Sequence, residues 1–256
     1  MVIHVQDKLL RAFFQCQPME LLPRTTLFAL ITGPKLIYMV KFTKISNGDI
    51  SNWDVSNVTN MNKMFDYASK FNGGISKWDV SNVTNIHKMF AYTISFIGDI
   101  SNWDVSNVTN MEYMFHNASS FNQQLNNWNV SEVINMRGMF YKSKLNRDIS
   151  NRDVSKVIDM EGMFASVEKF NQQLNDWNVS NVIDMEGMFK NAQKFNQPLD
   201  KWNVSNVTNM SYMFSGVIKF NELLNNWNVS KESNMFYMFY NAKKMENCNK
   251  PGQTPC

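Results

Sequence analysis

The sequence predicts an α/β solenoid, a rod of stacked coils, each with one short strand and one short helical turn. Three observations carry this expectation. A period of 25 residues runs through most of the 256-residue chain. The apolar pattern inside each period fits elements of only a few residues. No single copy can enclose its own large apolar groups, so the core has to form between neighbours.

The copies align on Trp53, Trp78, Trp103, Trp128, Arg152, Trp177, Trp202 and Trp227, with steps of 25 residues except for 24 between Trp128 and Arg152. The missing residue falls within Tyr141 to Leu145, as a deletion in a loop allows. Valine followed by serine stands two positions after each of these residues, from Val55-Ser56 to Val229-Ser230. A Met-Phe pair closes the motif in every copy, from Met64-Phe65 to Met238-Phe239. Repeats of this length identify the architecture before any local element is assigned.

Within a copy, Met61, Met64, Phe65 and Ala68 fall at i, i+3, i+4 and i+7, one face of a short helical turn. Asn60, matched by Asn or Asp in every copy, stands where an N-cap would satisfy free amides. Phe71-Asn72-Gly73-Gly74, or Phe195-Asn196-Gln197-Pro198, supplies the turn that ends it. Trp78 and Val80 then alternate with Asp79, which suits a brief strand with one face buried. The Asp or Asn after each tryptophan and the constant serine are residues that hydrogen-bond to a bending backbone. Stacking such coils sets Trp on Trp, Met on Met and Phe on Phe. At a strand spacing of about 4.8 Å, the copies make a rod on the order of 40 Å long.

The segments FNQQLNNWNVSEVINMRGMF, from Phe121 to Phe140, and FNQPLDKWNVSNVTNMSYMF, from Phe195 to Phe214, resemble the repeats of the BspA-like leucine-rich-repeat surface proteins. The resemblance spans roughly Ser46 to Met245 and rests on the pattern W-x-V-S-x-V-x-x-M-x-x-M-F. It implies an open, right-handed leucine-rich-repeat-like solenoid and, for bacterial members, display at the cell surface and adhesion. It carries over no catalytic residue. Arg152 in place of tryptophan, Leu145 and Met245 in place of phenylalanine, and Glu232 in place of valine depart from the pattern.

The chain divides into residues 1–45, which do not follow the period, a repeat region over 46–245, and a polar tail over 246–256 that is expected to be loose. The first segment holds the apolar runs VIHV, LLRAFF and LFALITGPKLIYMV, interrupted by Pro18, Pro23 and Pro34. Asp7 and Glu20 within it argue against a secretory signal, and Gly33-Pro34-Lys35 breaks the longest run short of a membrane span. It reads either as a cap over the open end of the core or as a docking motif. The missing signal points to an intracellular location, whereas the family resemblance points to the surface.

A formal net charge of +3 with no dense basic patch gives no indication of nucleic-acid binding. Three cysteines make no disulfide framework; Cys248 and Cys256 either pair or, in a reducing compartment, stay as thiols. The abundant asparagines read as a compositional bias at solvent-facing positions. The Asn-Val-Thr and Asn-Val-Ser triplets follow from the repeat itself. His4, His87 and His116 occupy unlike contexts, and no HExxH or paired-cysteine spacing occurs. Catalysis needs unlike groups at one place, and each copy offers the same ones, so no catalytic, cofactor or metal residue is expected. The aspartates Asp54, Asp79, Asp104 and Asp153 suit hydrogen-bonded turns better than a calcium site, because asparagine replaces them in other copies.

Function is then expected where the copies differ, in the residues flanking each Met-Phe pair: Lys63, Tyr67, Lys88, Tyr92, Tyr113, His116, Arg137, Tyr141, Tyr212 and Tyr237. On a helical turn these would face away from the methionines and form rows rich in tyrosine, a composition suited to protein contacts. They read equally as a tolerant outer surface. The expected function is a non-enzymatic repeat scaffold for protein–protein interaction or adhesion with an unidentified protein partner. The alternatives are a surface or virion structural component, as a monomer or associating end to end, and a glycan-binding module.

Overall fold

In a computed structural model of the chain, residues 50–254 are described. The N-terminal segment 1–45, with its cap or docking role, lies outside them, as does Cys256. Successive copies are joined by seven parallel bridges, from Asn60 with Asn85 through to Asn209 with Asn234. Each copy therefore sits beside the next in sequence.

The expected helical turn over Met61 to Ala68 is instead a run of overlapping turns. Among the described residues the only helix is a 3-10 turn at Asn247–Asn249. The amides of Met64, Asp66 and Ala68 donate within the copy to the carbonyls of Met61, Lys63 and Phe65 at 3.2, 3.2 and 2.9 Å. Those of Met61, Lys63, Phe65 and Tyr67 donate instead to Asn85, His87, Met89 and Ala91 of the next copy at 2.8 to 2.9 Å. An α-helix would spend all of these amides on its own carbonyls. Here every second peptide unit turns along the stacking direction, and that rotation requires a left-handed residue. Lys63 and Tyr67 have φ of 58° and 62°, the position i+2 signature of a type II turn.

Asn60 accepts a backbone amide as expected, but from Asn62 two residues on, at 2.9 Å. It is an Asx turn and not a helix cap. The equivalent Asn or Asp does the same in every copy, as with Asp159 and Glu161 at 2.9 Å. The brief strand expected at Trp78 to Val80 is also absent; the parallel contact lies at Thr59-Asn60, where Thr84 N–H donates to Thr59 O at 2.8 Å. Asp54 explains why. Its Oδ1 accepts from the amide and hydroxyl of Ser56 at 3.0 and 2.6 Å, bending the chain after the tryptophan. Asn129, Asn178 and Asn203 hold their serines alike.

The core is one continuous cluster running between copies. Phe65, Phe90, Phe115, Phe140, Phe164, Phe189, Phe214 and Phe239 stack with neighbouring centroids 5.5 to 5.9 Å apart. Such offset contacts add about 0.5–1.5 kcal/mol per pair to the burial itself. The indole N–H groups of Trp78, Trp103, Trp128, Trp177, Trp202 and Trp227 cross to an earlier copy, as Trp78 Nε1 to Ile50 O at 3.0 Å. Arg152 preserves this bond: its Nη1 and Nη2 donate to Asn126 O and Leu125 O at 3.0 and 2.6 Å. In the shortened copy the turn before Leu145 is lost, and Ser143 Oγ accepts the Leu145 amide at 3.3 Å.

The asparagines are structural and not merely compositional. Asn72, Asn122, Asn146, Asn171, Asn196 and Asn221 each accept, through Oδ1, a backbone amide of the following copy at 2.8 to 3.1 Å. Asn82 Nδ2 donates to Ser56 O at 2.8 Å, and Asn107, Asn181 and Asn206 repeat this bond. The tail expected from residue 246 continues the stack at first: Glu246 N–H meets Asn221 Oδ1 at 2.9 Å, and Leu224 N–H meets Asn249 O at 2.8 Å. Cys248 is disulfide-bonded and so is not the free thiol allowed for a reducing compartment.

Candidate functional site

Seven of the ten positions singled out in the sequence coincide with left-handed residues of the turns, and His116, Arg137 and Tyr141 do not. Lys63, Tyr67, Lys88, Tyr92, Tyr113, Tyr212 and Tyr237 all have φ between 52° and 62°. Glycine takes the place of Lys63, Lys88 and Tyr113 at Gly138, Gly162 and Gly187, and that of Tyr67 and Tyr92 at Gly216. A side chain there costs roughly 1–2 kcal/mol relative to a relaxed residue. Its Cα–Cβ bond leaves the stack, which is why these residues form an outer row while their neighbours Met64 and Phe65 are fully buried.

In the first four copies the row closes into one aromatic ledge. Tyr67, Tyr92, His116 and Tyr141 stack in series with centroids 4.3, 5.0 and 4.7 Å apart. Lys63, Asp66, Lys88, Ala91 and Tyr113 join Tyr67, Tyr92 and His116 around a cleft of ≈ 310 Å³. Lys88 Nζ lies 5.0 Å from the Tyr113 ring centre and Lys142 Nζ 5.3 Å from that of Tyr141. Tyr113 fits because its neighbour is Gly138, where a Cβ would collide with the Tyr113 ring.

Burial sets the protonation of this ledge. His116 Nε2 lies 3.2 Å from the Tyr92 hydroxyl, and Nδ1 is buried with no hydrogen-bond partner among the described residues. Burial, helped by Lys88 and Lys142, pushes its pKa down to about 4, so it is neutral at pH 7. Burial and the Tyr67 hydroxyl raise the Tyr92 phenol. His87, lowered by burial against the opposing pull of Glu112, has Nδ1 3.0 Å from Glu112 Oε2.

Arg137 is committed elsewhere. Its Nε donates to Tyr113 Oη at 2.8 Å, and its other nitrogens pair with Glu161. Burial opposes its charge, but Tyr113, Glu161 and Asp159 outweigh that and raise its pKa. Burial also raises the pKa of Asp159 and of Glu161. Tyr212 and Tyr237 form a second, separate cluster with Phe236 and Tyr240 near the C-terminal end. The ten residues therefore belong to two places and not to one continuous row. Sequence reasoning left out Lys142, although its equivalents Tyr67 and Tyr92 had been chosen.

Among the described residues no group of three or more His, Cys, Asp or Glu is placed to hold a metal ion, and no helix is long and apolar enough to cross a membrane. The backbone ladder, continuous ring stacks and outer ledge define a protein built from one repeated unit. The chain belongs to the family described as Mycoplasma protein of unknown function, DUF285, whose profile matches residues 35–151 and 141–250. The match reaches back to residue 35 and so takes in the last eleven residues of the segment set apart from the repeats on its sequence. No curated protein and no solved structure matches the chain.

Proposed function

We propose that this chain is a non-enzymatic scaffold, a leucine-rich-repeat-like solenoid of the BspA-like kind, that binds another protein through its outer row. The observation that carries the reading is the gathering of Lys63, Tyr67, Lys88, Tyr92, His116 and Tyr141 on one face of the first four copies, over a core that is nearly uniform from copy to copy. Tyrosines supply contact area and a hydroxyl at low entropic cost. The ring faces cover one another, Tyr67 against Tyr92 at 7°, which leaves edges and hydroxyls outward. That disfavours the glycan-binding alternative, since a sugar platform needs an open face.

The test is a variant with Tyr67, Tyr92 and Tyr141 changed to serine, compared with the unaltered chain by circular dichroism and by cross-linking capture from host lysate. The expected result is an unchanged spectrum with loss of the captured partner. Full recovery of the partner would refute the reading.

A second reading, end-to-end association, has its own support. Met235, Phe236, Tyr237 and Tyr240 are 43% to 57% exposed at the last copy. The amides of Met235, Tyr237, Phe239 and Asn241 donate to no backbone carbonyl among the described residues. An unpaired edge of this kind templates addition. Light scattering over a concentration series should show growth that Phe236→Glu abolishes; a monomer at every concentration would exclude it.

A further inference from the structure

We propose that the cleft of the first three copies takes an acidic side chain of a partner polypeptide, its carboxylate held between Lys63 and Lys88. This rests on the reading that the outer row binds protein, and it adds the chemistry of what is bound there.

The cleft is basic. Lys63 and Lys88 line it and Lys142 lies close enough to act on His116. Among the described residues none of the three has a carboxylate within ion-pairing distance, whereas Lys156 and Lys201, elsewhere on the same molecule, pair with Glu132 and Asp176 at 2.7 Å. Neither nearby acid makes an ion pair with these lysines among the described residues. Asp66 is 5% exposed at the floor, and Glu112 is turned to His87. His116 is neutral and adds a polar atom without charge.

The spacing suits one anionic group. Lys63 and Lys88 are equivalent residues of adjacent copies, about 5 Å apart along the stack at the spacing of paired backbones. Long, flexible side chains rising from backbones so spaced can converge on one carboxylate, each through a charge-assisted hydrogen bond, with Lys88 Nζ swinging from its place over the Tyr113 ring. Tyr67 and Tyr92 line the same cleft. The Tyr67 and Tyr92 rings face each other at 4.3 Å and the Tyr92 hydroxyl meets His116, so recognition runs through the ammonium donors, which select anionic oxygen and not a flat sugar or base.

The left-handed backbone at both lysines makes the test clean. With φ of 58° and 54°, Lys63→Gly with Lys88→Gly removes the charge and relaxes the backbone, as Gly138, Gly162 and Gly187 show at the same place. Fluorescence anisotropy of the full chain would use a fluorescein-labelled peptide of alternating Glu and Gly, with the Lys-Gly peptide and a heparin-derived oligosaccharide as competitors.

The expected result is binding of the acidic peptide that weakens with salt and is not competed by the Lys-Gly peptide. The paired Lys63→Gln and Lys88→Gln changes should weaken it about tenfold, the paired Arg changes should retain it, and the paired Gly changes should abolish it with no fall in melting temperature. Equal binding by the Gln pair would overturn the proposal, as would preference for the oligosaccharide. If the acidic peptide fails to bind while the tyrosine variant loses its captured partner, this inference fails and the broader reading stands. If the tyrosine variant keeps its partner, the broader reading fails whatever the peptide does.

Discussion

Arg152 interrupts a row of tryptophans, and Arg152→Trp should stabilise the protein. The site has room: a void of ≈ 30 Å³ is bounded by Trp128, Trp177, Met139 and Arg152 among others. Filling it recovers about 0.7 kcal/mol at roughly 24 cal/mol per Å³. A tryptophan there would stack on Trp128 and Trp177 as Trp53 stacks on Trp78 at 6.3 Å and 9°. Two such contacts add about 1 kcal/mol each. Its indole N–H would reach Leu125 O, the carbonyl equivalent to Ile100 O, which Trp128 Nε1 meets at 2.9 Å. Only the second guanidinium bond, to Asn126 O, is given up, a loss of about 1 kcal/mol. The sum is a gain of about 2 kcal/mol, or about 6 °C in melting temperature for a chain of this size. Thermal and urea unfolding followed by circular dichroism measure it. An unchanged or lower midpoint would refute the idea that the stacked indoles and their N–H bonds hold the copies together.

Other consequences follow from single residues. His116 takes up its proton near pH 6.5 in the unfolded chain but only near about 4 in the folded one, so stability should fall as pH drops through that window. His116→Tyr, which copies Tyr141 at the equivalent position, should flatten the slope in urea titrations between those limits, leaving the smaller part due to His87, also lowered. Asn171→Ala deprives the Asn196 amide of its acceptor at 2.8 Å and should lower stability by about 1 kcal/mol in urea unfolding. Gly138→Ala should lower it by about 1–2 kcal/mol through its left-handed backbone. It should also displace the Tyr113 ring, visible as a change in near-ultraviolet circular dichroism.

The rows of Trp, Met, Phe and Val were legible because buried side chains must match their neighbours in every copy, and the period displays that match directly. The backbone was not. Met61, Met64, Phe65 and Ala68 lie at helical spacing, yet that spacing serves equally for turns closed every three residues, and periodicity alone does not separate the two. The deciding signal was glycine at positions 138, 162 and 187, the same place in three copies, which marks a left-handed residue. Read that way, Lys63, Lys88 and Tyr113 would have been set outside the stack for a stated reason, and Gly216 marks the place of Tyr67 and Tyr92 in the same way. The bonds from Asn72, Asn82 and their equivalents were hidden because an asparagine facing solvent and one facing the next copy look alike in a sequence.

The account rests on each copy handing alternate amides to the next. Amide hydrogen exchange resolved by residue tests this directly. The amides of Lys63, Lys88, Tyr113 and Tyr212 should exchange slowly, and Tyr237, the same position in the copy nearest the C-terminal end, should exchange at least tenfold faster because no backbone carbonyl among the described residues accepts from it. Equal protection of Tyr212 and Tyr237 would contradict the account, since it would mean that the bonds close within each copy.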